Sequence, residues 1–118
     1  MAKTILIVED DDSIRETLQS VFELEGHKVL TAENGQVGLD ILANEPKPSL
    51  ILLDLMMPVM NGWNFSTALE KDARLSSIPV VIVSAYNDKA INIKCKAILK
   101  KPVDINALND AVEKWSDS

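Results

Sequence analysis

Apolar residues along this chain fall into short unbroken runs, separated by longer stretches in which they recur every three or four positions. The runs Thr4–Val8, His27–Thr31, Leu50–Leu53, Val80–Val83 and the weaker Ala97–Leu99 are rich in β-branched residues and predict five strands. Because they do not alternate with polar residues, they predict strands covered on both faces, as in a parallel sheet between helix layers. The intervening stretches have helical spacing. Ile14, Leu18, Val21 and Phe22 form one stripe, opened at Asp12 or Ser13 with Glu16 in capping-box position and closed by Gly26. A second helix is predicted over 36–43 with Val37 and Ile41 inward, weakened by Gly38. A third runs from about Trp63 to Ala73 through Phe65, Ala68 and Leu69, and the last starts at Asp104 with Ile105, Leu108, Val112 and Trp115 inward. Between Ser84 and the final strand there is room for only about two helical turns, so any helix there is short.

Strand and helix therefore alternate, which predicts a doubly wound α/β fold with right-handed crossovers and helices on both faces of the sheet. The 118 residues suit one domain, 1–118, with no linker or repeat dividing it. The longest apolar runs are too short to span a bilayer, and the N-terminus lacks the pattern of a secretion signal. A single cysteine, Cys95, rules out an internal disulfide, offers no zinc spacing and suits a reducing compartment. A cytoplasmic location is expected. The net charge of −6 argues against direct nucleic-acid binding, which favours basic surfaces.

In such a sheet, ligands bind beyond the carboxyl ends of the strands. There the sequence switches abruptly from apolar to polar: Glu9-Asp10-Asp11-Asp12 after the first strand, Asp54 after the third, Ser84 after the fourth and Lys100-Lys101-Pro102 after the fifth. Carboxylates gathered at one edge repel one another by about 1 to 4 kcal/mol per pair at 4 Å. A hard divalent cation, magnesium in particular, would relieve this through oxygen ligands from Glu9, Asp10 and Asp54. With Lys101 as a further cation and Ser84 as a hydroxyl donor, the set suits a phosphoryl group. Asp11 and Asp12 are better read as helix-capping acids, His27 as structural or solvated, and the methionines of 56–60 as packing and loop residues.

Taken together, Ile5-Leu6-Ile7-Val8-Glu9-Asp10-Asp11, Asp54-Leu55-Met56-Met57-Pro58 with Asn61-Gly62, Ser84-Ala85 and Lys101-Pro102 resemble a receiver domain of the two-component response-regulator family, over nearly the whole chain. The resemblance implies a five-stranded parallel sheet in the order 2-1-3-4-5, the flavodoxin-like receiver fold, with the fourth helix shortened. It implies that Asp54 accepts a phosphoryl group from a histidine kinase phosphohistidine. Asp10, Asp54 and the backbone carbonyl of Met56 would hold magnesium, with Glu9 acting through a metal-bound water. Ser84 and Lys101 would contact the new phosphoryl oxygens, and Lys101-Pro102 would be a cis peptide. Implied partners are a sensor histidine kinase or histidine phosphotransfer domain and a downstream effector or output domain; a receiver turns over no separate substrate.

Two positions depart from the family pattern. Ile98 stands where an aromatic usually precedes the lysine by three residues, and the segment between Ser84 and Lys101 is short. The bulky Met56 and Tyr86, two residues beyond Asp54 and Ser84, imply slow hydrolysis of the acyl phosphate. Two other classes fit the residues less well. An aspartyl-nucleophile phosphatase needs a second acid two residues after Asp54, where Met56 stands, and a receiver-like module that is never phosphorylated has no need of the complete acid set.

Overall fold

The computed structural model describes residues 3–85 and 93–116. Five strands, β1 (Thr4–Val8), β2 (Lys28–Ala32), β3 (Leu50–Leu53), β4 (Val80–Ser84) and β5 (Ala97–Lys100), form one parallel sheet in the order β2-β1-β3-β4-β5. Among the described residues, four helices connect or flank them: α1 (Asp12–Leu24), α2 (Gly35–Asn44), α3 (Gly62–Glu70) and α4 (Ile105–Trp115).

The side chains of the central strands divide between two cores by simple alternation. Leu6, Val8, Ile51, Leu53 and Ile82 face α2 and α3, packing on Leu42, Phe65 and Leu69. Ile5, Ile7, Leu50, Leu52, Val81 and Val83 face α1 and α4, packing on Leu18, Phe22, Leu108, Ala111 and Val112. Each strand in the middle of the sheet is thus buried on both faces, as its unbroken apolar run predicts. The edge strands differ: β2 is exposed or half-buried along most of its length, and β5 is half-buried and ends exposed.

The helices start where polar side chains cap them. Asp11 Oδ1 accepts the Ile14 N–H at 2.9 Å, Asn34 Oδ1 the Val37 N–H at 2.9 Å, Asn61 Oδ1 the Asn64 N–H at 2.9 Å and Asp104 Oδ1 the Asn106 N–H at 2.9 Å. The cap of α1 is therefore Asp11, one residue before the expected start. Gly38 is more than a weak point in α2. A Cβ there would stand 2.9 Å from Phe65 Cε1 and 3.3 Å from Val8 Cγ2, so its absence lets α2 lie close to β1 and α3.

Three expectations need adjusting. The second strand begins at Lys28, and His27 lies just before it with Nδ1 accepting the Lys3 N–H at 3.0 Å. The third helix ends at Glu70, because Asp72 turns the chain by accepting the Arg74 N–H on its side chain and the Leu75 N–H on its carbonyl. Ile105, expected inward, is half exposed, since α4 buries Leu108, Ala111 and Val112 instead. The short helix expected between Ser84 and β5 falls mainly on residues 86–92, outside the described residues; Ile93–Lys96 are not helical. Among the described residues, no helix is long and apolar enough to cross a membrane.

Candidate functional site

At the carboxyl edge of the sheet the backbone ladder runs one residue beyond the strands. The Glu9 N–H donates to Ala32 O at 3.0 Å, the Asp54 N–H to Val8 O at 2.9 Å and the Lys101 N–H to Ser84 O at 3.0 Å. Residues that the sequence places after each strand are thus held by sheet hydrogen bonds rather than left to a free loop. Glu9 and Asp54 are buried, at 2% and 5% exposure, while Asp10 is open to solvent.

One carboxylate oxygen from each of Glu9, Asp10 and Asp54 lies within 4.8 Å of the others. Lys101 reaches into this group from the end of β5. Its Nζ donates to Glu9 Oε1 at 2.8 Å and stands 3.5 Å from Asp54 Oδ1. The second Glu9 oxygen, Oε2, accepts the Asp11 N–H at 3.2 Å, so both Glu9 oxygens already have donors. Four predicted residues, Glu9, Asp10, Asp54 and Lys101, therefore meet at one place. Ser84 is fully buried at the end of β4, joined to this group by its carbonyl bond to Lys101. Met56 lies on the loop after Asp54 with its side chain largely exposed, whereas Met57 and Met60 pack against the α2/α3 core. The Lys101-Pro102 peptide is cis. Ile98 packs into the same core from β5, and Tyr86 lies outside the described residues.

Burial raises the Asp54 carboxyl from 3.8 to about 7, reinforced by the negative charge of Glu9 and opposed by Lys101. For Lys101, burial favours the neutral amine, but the hydrogen bond to Glu9 and the charges of Asp54 and Glu9 outweigh it and lift its pKa above the usual value. The lysine is thus a fixed positive charge, and the acids still carry an excess of negative charge. An all-oxygen donor set, two members buried and one open to solvent, fits a hard divalent cation.

After Asp54 the chain turns sharply. The Gly62 N–H donates to Leu55 O at 3.0 Å, and a Cβ on Gly62 would stand 2.8 Å from both Asp54 O and Leu55 Cα. Gly62 thus lets the first turn of α3 sit directly on the backbone of Asp54. The exposed Val59 adopts φ +67°, an unfavourable conformation for a β-branched residue.

Arg15 is the residue that sequence reasoning missed. Its Nη1 donates to Glu9 O at 2.9 Å and to Asp10 O at 3.4 Å, and its Nη2 to Asp12 Oδ1 at 2.5 Å. Within an amphipathic helix it reads as one more solvated arginine; its spacing of one turn from the acidic run was the available signal.

The response regulator receiver domain family matches residues 5–113. The chain belongs to this family. Among curated relatives of this receiver, protein PilH of Pseudomonas aeruginosa is 39% identical over 109 residues, covering 88% of this chain and 89% of PilH. The polar-differentiation response regulator DivK of Brucella anthropi is 29% identical over 120 residues, covering 98% of this chain and 97% of DivK. Among solved structures, the receiver domain of a signal transduction histidine kinase from Syntrophus aciditrophicus superposes with a TM-score of 0.88 at 26% identity, covering 96% of this chain and 89% of the other. The fold is shared equally by the receiver domain of a Pseudomonas aeruginosa sensor histidine kinase, which has magnesium coordinated in its active-site cleft. Its TM-score is 0.88 at 18% identity over 98% of each chain. The strand order observed here is thus that of a flavodoxin-like receiver.

Proposed function

We propose that residues 1–118 act as one phosphoacceptor switch in a cytoplasmic two-component phosphorelay. The observation that carries this reading is the meeting of buried Asp54 with Glu9, Asp10 and Lys101 at the carboxyl edge of the sheet. Asp54 Oδ attacks the phosphorus of a phosphohistidine on a sensor kinase or histidine phosphotransfer domain. An O–P bond forms as the P–N bond breaks, and the electron pair leaves with the imidazole nitrogen. Phosphoryl transfer asks chiefly for positioning and charge neutralisation. Lys101 supplies one fixed positive charge for the incoming phosphoryl oxygens, and the Ser84 hydroxyl, at the end of the adjacent strand, supplies a donor.

Asp10, Asp54 and the Met56 carbonyl would hold magnesium, with Glu9 acting through water, a role that suits a carboxylate whose oxygens both already accept hydrogen bonds. When bound, magnesium supplies the remaining neutralisation of the phosphoryl oxygens. The related receiver with magnesium in its cleft supports this assignment. The product is a modified protein that signals by altered affinity for an effector or output domain; no separate substrate is turned over.

Incubation with acetyl phosphate and magnesium, followed by intact-mass measurement, tests the reading. One phosphoryl adduct is expected on the wild type, none on Asp54→Asn and none after chelation of the metal. An adduct that persists on Asp54→Asn would reassign the acceptor, and steady release of inorganic phosphate from small phosphoesters would make the protein a phosphatase.

A further inference from the structure

The acids of the site differ in what holds them. Asp54 and Glu9 are buried and fixed by sheet bonds, but Asp10 is exposed. Its carboxylate has no core to pack against, so the course of the backbone at residues 9–10 weighs heavily in where it points. The Arg15 guanidinium grips that backbone: it donates to the carbonyls of Glu9 and Asp10 and also to the Asp12 carboxylate. The Arg15 side chain is 17% exposed, and its hydrogen bonds carry a full charge, which makes them stronger than neutral ones. Its position is fixed by α1, whose cap Asp11 also donates its own N–H to Glu9 Oε2.

We infer that Arg15 is a positioning residue for divalent cation binding: it holds the β1–α1 loop so that Asp10 stays aimed at Asp54. At the same time it engages Asp12 on the outer side of the loop, leaving Asp10 and Glu9 as that loop's acids at the cleft. The inference rests on the magnesium-dependent reading above.

Two physical effects of removing Arg15 have opposite signs, which makes the inference testable. Deleting a positive charge beside a cation site should tighten magnesium binding by simple electrostatics, whereas loss of the clamp should weaken it. Residues that orient metal ligands typically matter by 10- to 100-fold in affinity. Calorimetric titration with magnesium chloride should therefore show about 10-fold weaker binding for Arg15→Met. Arg15→Lys, which keeps the charge and can reach one carbonyl, should recover part of that loss. Asp12→Asn, which leaves both carbonyl bonds intact, should stay within about twofold of the wild type.

Unchanged or tighter magnesium binding by folded Arg15→Met would overturn the inference while leaving the phosphoacceptor reading intact. Equal weakening in Arg15→Met and Arg15→Lys, matched by equal losses of thermal midpoint, would reduce Arg15 to a helix-stabilising residue and likewise overturn it. Absence of magnesium binding by the wild type would sink both this inference and the reading on which it rests.

Discussion

The β1–α1 and β3–α3 loops deliver acids to the same place by different means. The first is polar throughout: Glu9 is bonded by Lys101 and the Asp11 N–H, Asp11 caps α1, and Arg15 binds two carbonyls and Asp12. The second is organised by shape. Leu55 is fully buried, Gly62 sits against the backbone of Asp54 and Leu55, and Met57 and Met60 anchor the loop on the α2/α3 core. A loop whose acid is exposed needs charged donors to aim it, whereas a loop whose acid is buried can be aimed by packing. The cost appears in different forms: the polar loop depends on particular side chains, and the packed one holds Val59 at φ +67°.

If packing aims Asp54, filling the contact at Gly62 should be the most damaging change in that loop. Gly62→Ala places a Cβ against Asp54 O and Leu55 Cα, atoms of the main chain that cannot rotate away. A loss of about 2–3 kcal/mol is expected in urea denaturation, with slower phosphorylation even at saturating magnesium. A wild-type stability would mean that α3 can shift without disturbing Asp54.

The second expectation concerns the cost of burying that carboxylate. In metal-free protein its pKa is raised from 3.8 to about 7 by burial and by Glu9, so the folded state binds a proton that the unfolded state has released. The stabilisation of the protonated form is therefore complete below about pH 4 and is lost as pH rises through 7. Asp54→Asn removes this dependence. The stability difference between wild type and Asp54→Asn should thus move progressively in favour of the variant as pH rises from 4 to 8. Parallel profiles for the two proteins would show that Lys101 already compensates the buried charge in full.

The smallest effect should have the opposite sign. Val59→Gly relieves a left-handed conformation that costs a β-branched residue about 1–2 kcal/mol, offset in part by the greater freedom of glycine when unfolded. A gain of about 0.5–1 kcal/mol in thermal or urea denaturation is expected. A loss would indicate that the Val59 side chain, though exposed, contributes to holding the loop.

The contrast between the loops also explains what the sequence disclosed. The central strands were legible because residues buried on both faces leave unbroken apolar runs, Glu9, Asp10 and Asp54 as the acids directly after β1 and β3, and Lys101 as the lysine beside Pro102 after β5. At the edges this signal fades: half-buried β2 starts one residue later than the pattern suggests. Asp72 closes α3 through hydrogen bonds to nearby backbone, an alternative to helix that periodicity does not register. Gly38 read as a flaw in a helix because a close approach by Phe65 and Val8 is a tertiary fact. Arg15 was missed for a related reason: its spacing of one turn from the acidic run is the only mark, and a solvated arginine in an amphipathic helix can carry the same spacing.

The Lys101–Glu9 ion pair closes a separation of 92 residues. A ribosome that has extended the chain through Asp54 has made every acid of the cleft and none of its lysine counter-charge. Until β5 is in place beside β4, the acids after β1 and β3 lack the lysine that pairs with Glu9. Completion of the sheet and arrival of the positive charge that pairs with Glu9 and faces Asp54 therefore coincide.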